Sequence, residues 1–237
     1  RKFGGMIAGA APLFGAVISL VWLAWSNESS ESTTSKLLAM VKHPIGAIAV
    51  IQAVYTALLA LLWMRYRVFK APEGAVWPKV TVVIPAFNEG PMVGRSIRSV
   101  AACNYPKDKL EVIVVDDGSR DDTFFHMQHL RREFPGLVRL VRFVGNRGKR
   151  SALVAGFRAA AGEILVTIDS DSEINPDTVH EMVAPFLADP KVGAVAGRVA
   201  VLNRDTPISR MLEVQFTLAF DYGRAAQSAY RCVACCP

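Results

Sequence analysis

Residues 163–169 (EILVTID) form an apolar, β-branched run that ends in an aspartate. Such a run is typical of a buried strand, because its side chains pack on both faces of a sheet. Two further runs of this kind stand earlier in the chain, at Val80–Ala86 (VTVVIPA) and Leu110–Asp116 (LEVIVVD). Together the three runs indicate a sheet that is covered on both sides.

Helical stretches lie between the predicted strands. The strands are predicted at residues 80–86, 110–116, 138–144, 163–169 and 192–201. The helices are predicted at about residues 92–102, 123–134, 149–161, 176–188 and 208–229, the last of them amphipathic and either interfacial or in the core. Alternation of strands and helices is typical of βαβ units, so the predicted fold class is α/β with a mostly parallel sheet.

Two apolar runs without charged side chains precede this pattern, at about residues 6–25 and 44–64. Each has about the 20 residues that a helix needs to cross a bilayer. We therefore expect a membrane anchor with two transmembrane helices at residues 1–70, a linker at 71–79 and the α/β domain at 80–237. Basic residues flank the outer ends of both runs, which predicts an integral protein of the plasma membrane whose α/β domain is cytoplasmic.

The distribution of charge limits the choice of partners. Residues 1–70 carry seven basic and two acidic residues, whereas the remaining 167 residues carry 20 and 19. The net charge of +6 therefore arises almost entirely beside the apolar runs. A nearly neutral domain does not fit a nucleic-acid-binding protein, which needs a basic face. The composition predicts a lipid bilayer as a partner and no nucleic acid.

Polar residues follow four of the predicted strands at the point where each strand ends. They are PAFNE at residues 85–89, DDGS at 116–119, GNRGKR at 145–150 and DSD at 169–171. In sheets of this class, ligands bind outside the carboxyl ends of the strands. The four segments are therefore expected to meet at one edge of the sheet and to form a binding site there.

The last three of these segments each have a structural and a chemical interpretation. Asp169 and Asp171 fit a capping cluster, or they bind a hard cation such as Mg²⁺ or Mn²⁺ together with phosphate oxygens. Residues 116–119 fit a tight turn, or a carboxylate that accepts hydrogen bonds from a base or ribose. Lys149 and Arg150 fit a solvated loop, or a diphosphate site at the start of a helix. The spacings of a Walker P-loop and of a dinucleotide fingerprint are absent.

The motifs VVIPAFNE, VVDDGS, NRGKR and IDSDS, in this order and spacing, resemble the family-2 glycosyltransferases with a GT-A fold, over roughly residues 80–237. Within that family, the two apolar runs and residues 224–237 (RAAQSAYRCVACCP) are similar to the membrane synthases of hyaluronan and of nodulation-type chitin oligosaccharides. The resemblance implies a processive, inverting, metal-dependent transfer of N-acetylglucosamine from a UDP-sugar donor to a growing polysaccharide acceptor.

The resemblance also implies roles for residues that would bind the donor nucleotide. Pro85, Phe87 and Glu89 in the first loop, together with Asp117, would hold the uridine. Phe87 stands where tyrosine is usual in the hyaluronan group, and it fits a core aromatic or a ring under a stacked base. Lys149 would contact the diphosphate.

The remaining roles concern the metal and the acceptor. Asp169 and Asp171 would be the catalytic residues of this segment, binding the nucleotide sugar and its Mg²⁺ or Mn²⁺, with Asp171 as the direct ligand. Arg224, Gln227 and Cys236 match the stretch that those enzymes place beside the acceptor and the channel entrance.

The sequence departs from the family pattern at its C-terminal side. The later G-D-D or E-D motif that supplies the general base, and the Q-x-x-R-W motif, do not occur, so we expect a truncated domain whose base lies beyond Pro237. Such a fragment should bind donor poorly and should not polymerise. Two alternatives remain: a non-processive transferase onto polyprenyl phosphate, and an inactive transferase-like membrane scaffold.

Overall fold

The computed structural model describes residues 44–230 of the 237-residue chain. These residues form two compact units. One comprises the described residues up to Val68 together with those from Ala196 onward, and the other is Phe69–Val195. The predicted membrane run at residues 6–25 lies outside the described residues.

The helices and strands occur largely where the sequence predicts them. In chain order the helices are α1 (Pro44–Arg65), α2 (Met92–Ala101), α3 (Thr123–Glu133), α4 (Lys149–Ala159), α5 (Thr178–Ala188), α6 (Pro207–Phe216) and α7 (Ala225–Ser228). The strands are β1 (Val80–Ala86), β2 (Leu110–Asp116), β3 (Val138–Arg142) and β4 (Ile164–Thr167). A 3₁₀ turn at Lys107–Lys109 precedes β2, and a π-helical segment at Thr217–Arg224 joins α6 to α7.

The second apolar run forms helix α1, so the predicted helix at about residues 44–64 is present. However, none of the helices in the described part of the chain combines the length and the apolar character that a bilayer-crossing helix needs. The described residues therefore do not support the prediction of two transmembrane helices.

The Phe69–Val195 unit is built on a four-stranded sheet with the order β3-β2-β1-β4, and all three strand pairs are parallel. In the register of the sheet, Val80 of β1 lies opposite Leu110 of β2 and Ile164 of β4. Strands β1 and β2 are buried along their whole length, as their largely apolar sequences predict. The predicted α/β class with a parallel sheet is confirmed.

The predicted fifth strand at residues 192–201 is wrong. Within the described residues this segment pairs with no strand of the sheet. Gly193 and Gly197 interrupt its apolar run, and glycine weakens a strand because it has no side chain to pack. A β-branched run becomes a strand only where tertiary packing and a partner edge favour it, and the local sequence does not reveal that context.

Pro85 explains why β4 is shorter than predicted. The N–H of Ile168 donates to the carbonyl of Val83 at 3.2 Å, so the backbone groups of Val83 point toward β4. The next residue of β1 whose backbone groups point toward β4 is Pro85, and proline has no N–H to donate. The β1–β4 ladder accordingly ends at the pair of Val83 and Thr167, and the following residues leave the sheet. This departure presents the DSD segment at the carboxyl edge.

Helix α4 approaches the sheet closely through Gly156. A Cβ atom at this position would overlap Cγ1 of Val83. Val83 belongs to a buried cluster with Ile113, Val115 and Ala152, which lies between α4 and the sheet. The close approach fixes the position of α4, and with it the position of its first residue, Lys149.

Replacing Gly156 by alanine is expected to lower the free energy of unfolding by about 1–3 kcal/mol, because overpacking outweighs the gain of about 1 kcal/mol in helix propensity. Gly94→Ala in α2 is the matched control, since its Cβ would lie at an ordinary 3.4 Å from Nη1 of Arg98. Urea denaturation of both variants tests the argument. Equal unfolding free energies for the two variants would contradict it.

Candidate active site at the carboxyl edge of the sheet

The loop after β1 is held by the first turn of α3. The N–H groups of Glu89 and Gly90 both donate to Oγ1 of Thr123 at 2.8 Å. The hydroxyl of Thr123 donates in turn to Oδ1 of Asp121 at 2.5 Å, and this hydrogen bond lowers the pKa of Asp121 below its usual range. These hydrogen bonds therefore fix the loop that carries Phe87. Phe87 itself is 39% exposed to solvent.

Asn88 joins the first loop to the second, and the sequence analysis missed this role. Its Oδ1 accepts from the N–H of Arg120 at 2.9 Å, and its own N–H donates to Oγ of Ser119 at 3.1 Å. The backbone of Asn88 has φ 54°, a left-handed conformation that asparagine adopts more readily than most residues. The asparagine in PAFNE was the available signal for a special turn.

Asp116 and Asp117 at the end of β2 are both buried. Oδ1 of Asp116 accepts from the N–H of Ser119 at 2.9 Å, and its Oδ2 lies 3.0 Å from Nε of Arg142 in an ion pair. Asp117 accepts from the N–H groups of Arg147 and Gly148, each at 2.8 Å. Its carboxylate thus holds the loop that leads into α4, while the predicted contact with uridine stays a prediction.

Helix α4 begins with two basic residues, Lys149 and Arg150, and has no acidic residue in its first turn. This arrangement opposes the helix dipole, whose positive end lies at the N-terminus. The loss of helix stability that this arrangement causes is understandable if an anion binds at the start of α4. Nζ of Lys149 lies 2.6 Å from Oδ1 of Asp169, and the two side chains are 59% and 58% exposed. Positive charge is therefore concentrated beside the DSD segment.

The DSD segment presents two exposed carboxylates, Asp169 and Asp171, on either side of a buried Ser170. Exposed carboxylate oxygens suit Mg²⁺ or Mn²⁺, which are commonly held by one or two carboxylates plus substrate phosphates. Among the described residues, no group of three or more His, Cys, Asp or Glu side chains is placed to hold a metal ion. The two exposed aspartates by themselves match the one or two carboxylates that such a cation commonly takes from a protein.

The structure brings most of the predicted donor-binding residues to this edge. Pro85 is the exception, because it belongs to strand β1 itself and is buried. Arg224 and Gln227 belong to the other compact unit, where the Arg224 guanidinium lies 4.1 Å from the centre of the Phe220 ring. Cys236 lies outside the described residues. The roles predicted for the acceptor-side residues stay predictions.

Comparison with known proteins identifies the family to which the chain belongs. The model of the family described as "Glycosyl transferase family 2" matches residues 81–236. An N-acetylglucosaminyltransferase from Mesorhizobium japonicum is 36% identical over 169 residues, which cover 70% of this chain and 39% of that protein. Another from Rhizobium sp. is 32% identical over 198 residues, covering 81% and 44%. The chain spans less than half the length of these curated relatives.

A solved structure is also similar. The mannosyltransferase PcManGT from Pyrobaculum calidifontis, in complex with GDP-Man and Mn²⁺, has a TM-score of 0.55 and 32% sequence identity. The similarity covers 81% of this chain and 52% of that chain. This likeness supports a GT-A-like domain with a parallel sheet.

Proposed function

Because the chain belongs to glycosyl transferase family 2, we propose that it is a glycosyltransferase that transfers N-acetylglucosamine from UDP-N-acetylglucosamine to a growing polysaccharide, with inversion at the anomeric carbon. The names of its curated relatives support the choice of sugar. The observation that carries the proposal is the exposed pair Asp169 and Asp171 beside Lys149, at the carboxyl edge of the sheet.

The proposed reaction is a displacement in which an acceptor hydroxyl forms the new glycosidic bond and the bond to UDP breaks. Negative charge then develops on the departing diphosphate. Lys149 and the N-terminus of α4 offer it positive charge. Asp169 and Asp171 would hold Mg²⁺ or Mn²⁺, which would neutralise part of this charge when bound. The structure of the Mn²⁺-bound mannosyltransferase supports metal use.

Labelled UDP-sugars test the proposed substrate. Membranes containing the complete protein are expected to incorporate label from UDP-N-acetylglucosamine into a polymer, and less without divalent metal. Incorporation from UDP-glucose alone would contradict the sugar. A single labelled sugar on a polyprenyl phosphate would contradict processive transfer and favour the non-processive alternative.

Replacing Lys149 by alanine is expected to weaken UDP binding about tenfold and uridine binding by less than twofold, because a charge-assisted hydrogen bond to the diphosphate is lost. Arg150→Ala, which removes the neighbouring cation, is the matched control and should weaken UDP binding less. Calorimetry with both ligands measures the effects. Equal losses for UDP and uridine would mean that Lys149 acts on the structure and not on the diphosphate.

We also propose that the protein works at a membrane, with the catalytic unit in the cytoplasm. Helix α1 supports this proposal because it leaves large apolar side chains exposed, among them Ile48, Ile51, Val54, Leu58 and Leu61. A continuous apolar surface of this kind is unusual on a soluble monomer. Cell fractionation tests the proposal, and recovery of the complete protein in the soluble fraction would contradict it.

A further inference from the structure

Ser170 lies between the two aspartates and had no role in the sequence analysis. Its side chain faces inward and the residue is only 6% exposed. Oγ of Ser170 donates to Oε1 of Glu89 at 3.0 Å, and its carbonyl accepts from Oγ of Ser96 at 2.6 Å. The hydroxyl and the carbonyl of this buried residue are thus bonded to parts of the chain more than 70 residues away.

One face of helix α2 holds the DSD segment and the residues after it. Ser96 and Ser99 are three residues apart and therefore lie on the same side of the helix. Oγ of Ser99 accepts from the N–H of Ile174 at 3.1 Å and donates to the carbonyl of Ser96 at 2.8 Å. The two serines thus fix the segment at two points, on a helix that is anchored in the core by residues such as Ile97.

The inward orientation of Ser170 determines where its neighbours lie. The N–H of Ser172 donates to the carbonyl of Asp169 at 3.1 Å and closes a turn around Ser170. With Ser170 held inside this turn, Asp169 and Asp171 remain on the exposed side. A turn without these bonds would have to be ordered when a ligand binds, at a cost in conformational entropy.

We propose that Ser96 and Ser170 are positioning residues for the two metal-binding aspartates, and that the bond from Ser170 to Glu89 couples the metal-binding turn to the loop after β1. This inference rests on the proposed function, because it assumes that Asp169 and Asp171 bind a divalent cation with the donor diphosphate. Mutation of outer partners that orient metal ligands typically lowers metal affinity about 10- to 100-fold.

The test measures Mn²⁺ binding to the complete protein at saturating UDP, by calorimetry or by the electron paramagnetic resonance signal of free Mn²⁺. Ser96→Ala and Ser170→Ala are each expected to weaken Mn²⁺ binding about tenfold. Thr81→Val is the control, because Thr81 is equally buried and donates to Oε2 of Glu111 at 2.7 Å, away from the DSD segment. It should lower the melting temperature without changing Mn²⁺ affinity.

The outcomes separate this inference from the function on which it rests. If the unaltered protein binds Mn²⁺ with UDP and both serine variants bind it equally well, the positioning role is wrong while the proposed function stands. An equal loss of Mn²⁺ affinity in Thr81→Val would also overturn the positioning role, because general destabilisation would then explain the loss. Failure of the unaltered protein to bind Mn²⁺ with UDP would overturn both the positioning role and the proposed function.

Discussion

Replacing Asp171 by asparagine is expected to lower the rate of sugar transfer by the complete protein about 10²- to 10³-fold. Asparagine keeps the size and one oxygen of the side chain but removes the negative charge that attracts a divalent cation. Loss of a group that stabilises charge developing in the transition state typically has an effect of this size. The measurement is the initial rate of transfer from labelled UDP-N-acetylglucosamine over a range of Mn²⁺ concentrations.

Asp108→Asn is the matched control for this variant. Asp108 is also exposed, but it lies in the 3₁₀ turn before β2, at the amino end of that strand. Its replacement should leave both the rate and the Mn²⁺ dependence unchanged. If Asp171→Asn retains the turnover and the metal dependence of the unaltered protein, Asp171 does not hold the metal.

Replacing Gly118 by alanine is expected to lower the free energy of unfolding by about 2–4 kcal/mol and to abolish measurable UDP binding. Gly118 has φ 75°, and a Cβ there would lie 2.5 Å from the carbonyl carbon of Gly145. The alanine must therefore push the loop before α4 away from β2. This movement would break the hydrogen bonds from Arg147 and Gly148 to Asp117 and would displace the start of α4.

Gly136→Ala separates the two causes of this effect. Gly136 also has a positive φ, 81°, but no atom lies within 4 Å of the position of its Cβ. This variant should show the backbone strain alone, about 1–2 kcal/mol, and should bind UDP normally. Chemical denaturation and UDP titration of both variants measure the difference. The same loss of stability in both, with UDP binding retained, would refute the close contact of the two loops.

The extent to which the sequence predicts the fold depends on where each strand lies. The observed bounds of β1 and β2 equal the predicted ones, because central strands are buried on both faces and leave a largely apolar run in the sequence. Strands β3 and β4 lie at the two edges of the sheet and end earlier than predicted. Their ends depend on pairing with a neighbour, as the position of Pro85 shows for β4, and local sequence does not contain that information.

In the candidate site, too, the sequence predicts some residues and not others. The charged residues at the carboxyl edge are predictable because their motifs follow recognisable strands. Asn88, Ser96 and Ser170 were missed because the hydrogen bonds that tie them to the site join residues 31 or more positions apart. The burial of Asp117 against two backbone N–H groups was missed for the same reason. The residues that we propose to bind the donor belong to sequence motifs, whereas the residues that hold them in place are revealed only by tertiary contacts.

We propose that this edge of the sheet binds a uridine diphosphate sugar through a divalent cation held by Asp169 and Asp171. Calorimetric titration of the complete protein with UDP and with GDP, each in the presence of Mn²⁺ or of a chelator, tests this binding mode. UDP is expected to bind at least about tenfold more tightly with Mn²⁺ than with the chelator, and more tightly than GDP. UDP binding that is unaffected by the chelator, or a preference for GDP, would contradict it.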